Sequence, residues 1–328
     1  MSTDTASNTF ACPFCGGKNA VSVQALQKVQ LKCSFCKLPL KNQHHAKFAH
    51  LDPTMYRHPL ETDSWQALQA LPGIQNILQK VHQFADQSFC EAFFAFNSLR
   101  VSSQQYPELF FKLQAASKTL GLKRVPHLYV SHIDLSDAMG VYAYSGGIEH
   151  PFIVLSSRLL ALDDTDILVA LSHELGHIHA GHLNYKVAAD FLPLLLSKVY
   201  KKTPLESFAD SISLPIQQAL ITWRMKANLT ADRSAMLVLQ DENLLMSYLM
   251  RQAGGLTTSK ANLEAFQAQV EALNPQLVYT WLDKYWQQFL FNRTNMSFPV
   301  WRATELHLWS RENQKGYGFA EIVKIFGS

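Results

Sequence analysis

What the chain lacks narrows the reading first. None of its 328 residues falls in an uninterrupted apolar run approaching the roughly 18 residues that span a bilayer. The nearest stretches, Phe89 to Phe96 and Phe191 to Leu196, are short and broken or flanked by polar residues, so each reads as a buried helix segment. Met1 to Phe10 is polar and carries no apolar core, so no secretory signal is expected and a soluble, cytoplasmic protein is. There is no basic run, no low-complexity tract and no internal repeat beyond two paired cysteine turns. A formal charge of only +3 gives no electrostatic footprint for nucleic acid. With 48% hydrophobic and 17% charged residues the composition is that of an ordinary globular chain, long enough for a sizeable core and more than one domain.

Cysteine is scarce, and four of the five occur as Cys12-Pro13-Phe14-Cys15 and Cys33-Ser34-Phe35-Cys36. Two C-x2-C turns seventeen residues apart are spaced as in a zinc ribbon, each turn aiming two thiolates at one ion. Gly16-Gly17 supplies the permissive backbone the first turn needs. Val21, Val23, Leu26, Val29 and Leu31 suit short ribbon strands. A closed four-cysteine site has no open coordination position, so its zinc is structural. Disulfides are the weaker alternative, because nothing indicates export. Cys90 reads as an inert core thiol, and Asn42 to His45 as a solvated linker.

The stretch His173-Glu174-Leu175-Gly176-His177 reads H-E-x-x-H. Two histidines four apart on a helix face the same way, as two imidazoles sharing one Zn²⁺ must. Glu174 beside them is then set to take a proton from water as general base. Asp163, Asp164 and Asp166 suit a helix start, and Ile167, Leu168, Leu171, Leu175 and Ile178 recur at helical spacing. Gly181 is the expected stop, giving a helix over about 164–180. His179 and His182 extend the histidine cluster, but Leu183 stands where a third histidine ligand of the metzincin pattern would be.

Around these motifs the chain divides into a ribbon over 1–50 and a second domain over 51–328. Leu51 to Pro59 reads as a connector. Residues 64–120 have helical spacing, and 127–131, 140–145 and 152–155 read as strands. The remainder after the motif helix is mostly helical. The fold class is therefore mainly α with a small β-sheet (α+β). Val141 to Tyr144 is either an edge strand able to pair with an extended peptide or an ordinary hairpin edge.

Pro151-Phe152-Ile153-Val154-Leu155-Ser156-Ser157 together with Leu171 to His182 resembles the HtpX-like zinc metallopeptidases, the gluzincin-type family that also holds the CaaX prenyl proteases. The likeness covers about 65–310. Ala231-Asp232-Arg233-Ser234 resembles the family's E-x-x-A-D-R motif, and Phe298-Pro299-Val300-Trp301-Arg302 its closing H-P-x-P-x-x-R motif. The resemblance implies a zincin-type metallopeptidase domain after the ribbon. It also implies that the residue four before Asp232 is the third zinc ligand and that Asp232 orients a ligating histidine through its far nitrogen. Here that residue is Asn228 rather than Glu, and Met296 stands where the family has histidine. A neutral amide leaves the site at +2 rather than +1, which weakens zinc binding while acidifying bound water further. Glu206-Ser207-Phe208-Ala209-Asp210 is a second E-x-x-A-D string, in which Glu206 would be the ligand.

The implied function is zinc-dependent endopeptidase action on protein or peptide substrates. His173, His177 and Asn228 would hold one catalytic Zn²⁺, the four cysteines one structural Zn²⁺, and Glu174 would act as base. Tyr185 and Arg233 are candidates for stabilising the oxyanion. Two other readings stand beside it. One is a pseudo-peptidase whose cleft and ribbon bind protein partners. The other is a nucleic-acid-binding ribbon, against which the near-neutral charge argues.

Overall fold

A computed structural model of the chain describes residues 9–21, 31–41, 44–84, 87–133, 142–196, 213–255, 261–274, 298–311 and 317–326. The side chains of 82–90 and 191–196 lie outside that description. Strands β1 (Thr9–Ala11) and β2 (Lys18–Ala20) pair antiparallel across the first cysteine turn. Cys33 begins a second turn of the same build, closed by amide bonds of Cys33 to the Leu38 carbonyl at 2.8 Å and Lys37 to the Cys33 carbonyl at 3.0 Å. The left-handed position after each turn is Gly16 (φ 75°) in the first and Lys37 (φ 60°) in the second. Of the expected ribbon strand over Val21 to Leu31, residues 22–30 lie outside the description. The strand that is present starts earlier.

After a single 3-10 turn at Pro53–Met55, the chain forms α1 (Pro59–Gln69), α2 (Ile74–Phe84) and α3 (Gln87–Asn97). Strand β3 (Ser98–Arg100), helix α4 (Pro107–Thr119), β4 (His127–Ser131), β5 (Ala143–Gly146) and β6 (Phe152–Ser156) follow. Then come α5 (Asp164–His179), α6 (Leu183–Leu196), α7 (Leu214–Leu239), α8 (Glu242–Gly254), α9 (Leu263–Ala272), α10 (Pro299–Arg311) and α11 (Phe319–Phe326). This is the mainly helical α+β architecture expected. The sheet order is β3-β4-β6-β5, with β4 and β6 parallel and both outer strands antiparallel. Three of the strands coincide with the expected ones to within three residues. β3 falls in a region read as helical, since three residues are too few to carry a period.

Helices α5 and α7 cross at the centre, and α5 shields the sheet. They approach closely at Gly176, where a Cβ would sit 2.7 Å from the Ser234 Cβ and 3.0 Å from the Ala231 Cα. Glycine is what lets the two backbones meet there. Cys12, Phe14, Cys33, Cys36 and Leu38 share one buried cluster with Leu168, Leu171 and Leu175 of α5 and Val238 of α7. The ribbon thus packs on the back of the motif helix. Phe35 meets Phe111 edge-on at 5.4 Å, and Lys32 and the fully buried Lys112 both reach Asp164 at the helix start, at 3.3 and 2.8 Å. His45 is not a solvated linker residue: it stands edge-on to Phe14 at 5.2 Å. Among the described residues no helix is long and apolar enough to cross a membrane.

Candidate active site

The motif helix spans Asp164–His179, within one residue of its expected end. It stops in a paired turn. The amide of Gly181 bonds the Ile178 carbonyl at 3.2 Å, and that of His182 bonds the His177 carbonyl at 3.0 Å. Gly181 holds φ 73°. This is the left-handed glycine termination that returns the chain onto the last turn. As a result, His182 lands beside His177.

His173 and His177 point the same way, with their Nε2 atoms 3.2 Å apart. Two nitrogens bound tetrahedrally at about 2.05 Å to one Zn²⁺ would be about 3.3 Å apart. Each far nitrogen is engaged on the opposite side. His173 Nδ1 donates to Asp232 Oδ1 at 2.9 Å, and His177 Nδ1 lies 2.9 Å from His182 Nδ1. Asp232 comes from α7, one turn beyond Asn228, and is gripped by Arg302 of α10 through Nε at 2.7 Å and Nη2 at 2.6 Å. Burial alone would raise the Asp232 carboxyl, but the Arg302 guanidinium and His173 outweigh it and hold the pKa down to about 2. Burial drives His177 well below the ordinary histidine value, and the facing rings of His173 and His182 add to this. Two imidazole Nε2 atoms converging at this spacing are the geometry a divalent cation requires.

Glu174 is buried. Its Oε2 accepts from the Ser145 hydroxyl at 2.5 Å and lies 3.9 Å from the buried Lys186 ammonium. Ser145 is on β5, an edge of the sheet among the described residues, so the general-base candidate is tied to that edge. Lys186, on α6, also donates to the Ser145 carbonyl at 3.1 Å and to Asp190 at 3.2 Å, and it sits 4.1 Å over the Tyr144 ring. Sequence reasoning missed both Ser145 and Lys186. Nothing in the motif spacing announces a buried lysine from the next helix.

Asn228 is half-buried on α7, a helical turn before Asp232. Among the described residues no carboxylate joins the two histidines to complete a group of three. Glu206, Asp210 and Met296 lie outside the described residues, as does the Cys90 side chain. The two oxyanion candidates face elsewhere. The Tyr185 hydroxyl accepts from Gln69 at 3.3 Å inside a separate core cluster, and Arg233 donates to the carbonyls of Tyr56 and Arg57 while stacking over Trp309.

The four ribbon sulfurs lie within 4.8 Å of one another, with Cys15 to Cys33 at 3.6 Å and Cys12 to Cys36 at 3.9 Å. Thiolates around one Zn²⁺ at about 2.3 Å would be about 3.8 Å apart. A disulfide needs about 2.05 Å. The amides of Gly17 and Phe35 and the Asn19 side chain donate to these sulfurs at 3.4, 3.4 and 3.5 Å. The cluster could hold a metal, as a zinc ribbon does.

The model of peptidase family M48 matches residues 104–304, well over half of the chain. The chain belongs to peptidase family M48. It is also similar to the plastoglobule-localized metallopeptidase 48 of Arabidopsis thaliana chloroplasts, with 29% identity over 267 residues, covering 80% of this chain and 74% of that protein. No solved structure matches it. Membership in M48 makes this a zinc-dependent peptidase family member whose substrates are proteins or peptides. The matched region begins just before α4 and ends within α10, and so contains β4 to β6, the motif helix, Asp232 and Arg302.

Proposed function

We propose that this M48 member is a zinc metalloendopeptidase in which His173 and His177 hold the catalytic ion and Glu174 is the general base. The observation that carries this reading is the pair of Nε2 atoms 3.2 Å apart, with Glu174 on the same helix. When bound, Zn²⁺ supplies a Lewis acid for the scissile carbonyl and acidifies water. Asp232 and Arg302 orient His173. Ser145 and Lys186 engage Oε2 of Glu174, which leaves Oε1 to take the proton from water and hand it to the leaving amine. The β5 edge offers an extended peptide a strand partner beside Glu174. Asn228 occupies the third ligand position and the ribbon holds a second, structural zinc. The reduced, metal-competent cysteines suit a cytoplasm-like reducing compartment.

The alternative is a pseudo-peptidase that uses its cleft and ribbon to bind protein. It is favoured by Asn228 in place of a carboxylate and by the buried Lys186 cation near Glu174. A single comparison separates the two. Wild-type protein loaded with zinc should cleave unfolded casein, and Glu174→Gln should retain the ion and lose cleavage. If both proteins are equally inactive with the ion bound, the pseudo-peptidase reading replaces the first. If both are equally active, Glu174 is not the base.

A further inference from the structure

Beyond the residues that would touch the ion, a buried line of polar groups runs from His177 through the turn after the motif helix to α1. His177 Nδ1 lies 2.9 Å from His182 Nδ1, and His182 Nε2 lies 3.4 Å from Glu61 Oε1. Glu61 belongs to α1 and is fully buried. Its carboxylate collects three further donors: Arg57 Nη1 at 2.6 Å, Thr230 Oγ1 at 2.8 Å and Trp223 Nε1 at 3.3 Å. Thr230 accepts the His58 amide at 2.9 Å, so its own hydroxyl proton is available for Glu61. The segment just before α1, helix α7 and the turn after α5 therefore all present donors to one acceptor on α1.

Two neutral arrangements of protons are open to the line of rings. In one, His182 carries its proton on Nε2 toward Glu61, accepts at Nδ1 from His177, and leaves the His177 Nε2 lone pair facing that of His173 3.2 Å away, the pair of lone pairs a cation between them would take up. In the other, every proton points the opposite way: His182 donates to His177, His177 Nε2 donates to His173, and Arg57 Nη1, 3.5 Å away, turns a proton toward His182 Nε2. The second sets a nitrogen lone pair 3.4 Å from a carboxylate oxygen. It also removes one donor from an acceptor-only group that burial has stripped of water, which is costly. An ionised Glu61 selects the first arrangement.

We propose that Glu61 and His182 are positioning residues that, acting through a shared hydrogen-bond relay, hold His177 with its proton on Nδ1 and its lone pair on Nε2. The relay does for His177 what Asp232 does directly for His173. Neither residue touches substrate or ion. The inference rests on His177 being a ligand, but its test is read without hydrolysis.

The experiment is nitrogen-15 histidine spectroscopy on the full chain, metal-free, followed by Zn²⁺ titration against a chelator. Expected are a His177 ring protonated at Nδ1 and a His182 ring protonated at Nε2 before any ion is added. Glu61→Gln should move the His177 proton to Nε2 and weaken Zn²⁺ binding at this site about 10–100-fold, the usual effect of removing an orienting partner. His182→Phe should weaken it likewise. His182→Asn, whose Oδ1 replaces the Nδ1 acceptor, should recover most of the affinity whether or not Glu61→Gln folds. A wild-type His177 protonated at Nε2, or a His182→Phe protein with unchanged Zn²⁺ affinity, overturns the proposal. A protein that shows the expected rings and affinities but cleaves no peptide defeats the proposed activity and leaves the relay standing.

Discussion

Asp232 touches His173 through one oxygen and Arg302 through both, so a single buried carboxylate joins the motif helix to α10. Removing Arg302 leaves that carboxylate buried without its counter-charge, a change worth roughly 3–5 kcal/mol for a buried pair. Arg302→Met should lower thermal stability accordingly, by calorimetry, and weaken Zn²⁺ binding. Asp232→Asn should weaken Zn²⁺ binding about 10–100-fold with a smaller loss of stability. An Asp232→Asn protein with wild-type affinity would remove Asp232 from the site.

If residue 228 fills the third ligand position, as proposed, Asn228→Glu supplies the site with a carboxylate. Zn²⁺ affinity measured by chelator competition should rise at least about tenfold, since a carboxylate is an ordinary zinc donor and an amide is not. No gain would mean that residue 228 does not face the ion.

Gly176→Ala forces a methyl group against Ser234 and the α7 backbone. Overpacking of this kind costs about 1–3 kcal/mol. Because the same contact sets Asp232 against His173, the variant should lose metal affinity as well as stability. A shift in melting temperature with unchanged affinity would separate packing from the site.

Acid should destabilise the protein before its carboxylates titrate. Burial lowers His45 and His179 to about 4, so the folded chain refuses protons that the unfolded chain accepts below the ordinary histidine value. Stability is therefore whole above about pH 6.5 and falls between there and about pH 4, by up to about 1.4 kcal/mol per pH unit for each ring. The melting temperature followed from pH 7 to 5 reads this directly, and His45→Phe should flatten part of the slope. Asp232 adds a second loss only at the acid extreme, as the pH falls toward about 2.

How much of this was legible in the sequence depends on the range of each contact. The motif helix was readable to within a residue because both its acidic start and its glycine stop are local. The ribbon turns were readable for the same reason. The strands at His127–Ser131 and Phe152–Ser156 announced themselves by apolar runs between turn residues. Direction was not readable. Tyr185 was a candidate for the chemistry, yet it points into a core cluster, while its neighbour Lys186 approaches Glu174. One residue along a helix is a rotation of about 100°, and only the packed fold says which of the two faces the cleft. Glu61, in a helix more than a hundred residues before the motif, carries no sequence signal for its bond to His182.

Gly181 gives the last consequence. Its reversal is closed by two backbone bonds and contains no spare residue. The five-residue interval from His177 to His182 is therefore fixed by the geometry of a chain ending, independent of what the intervening side chains are. Lengthening that corner by one amino acid would keep every participant of the buried relay and still pull it apart.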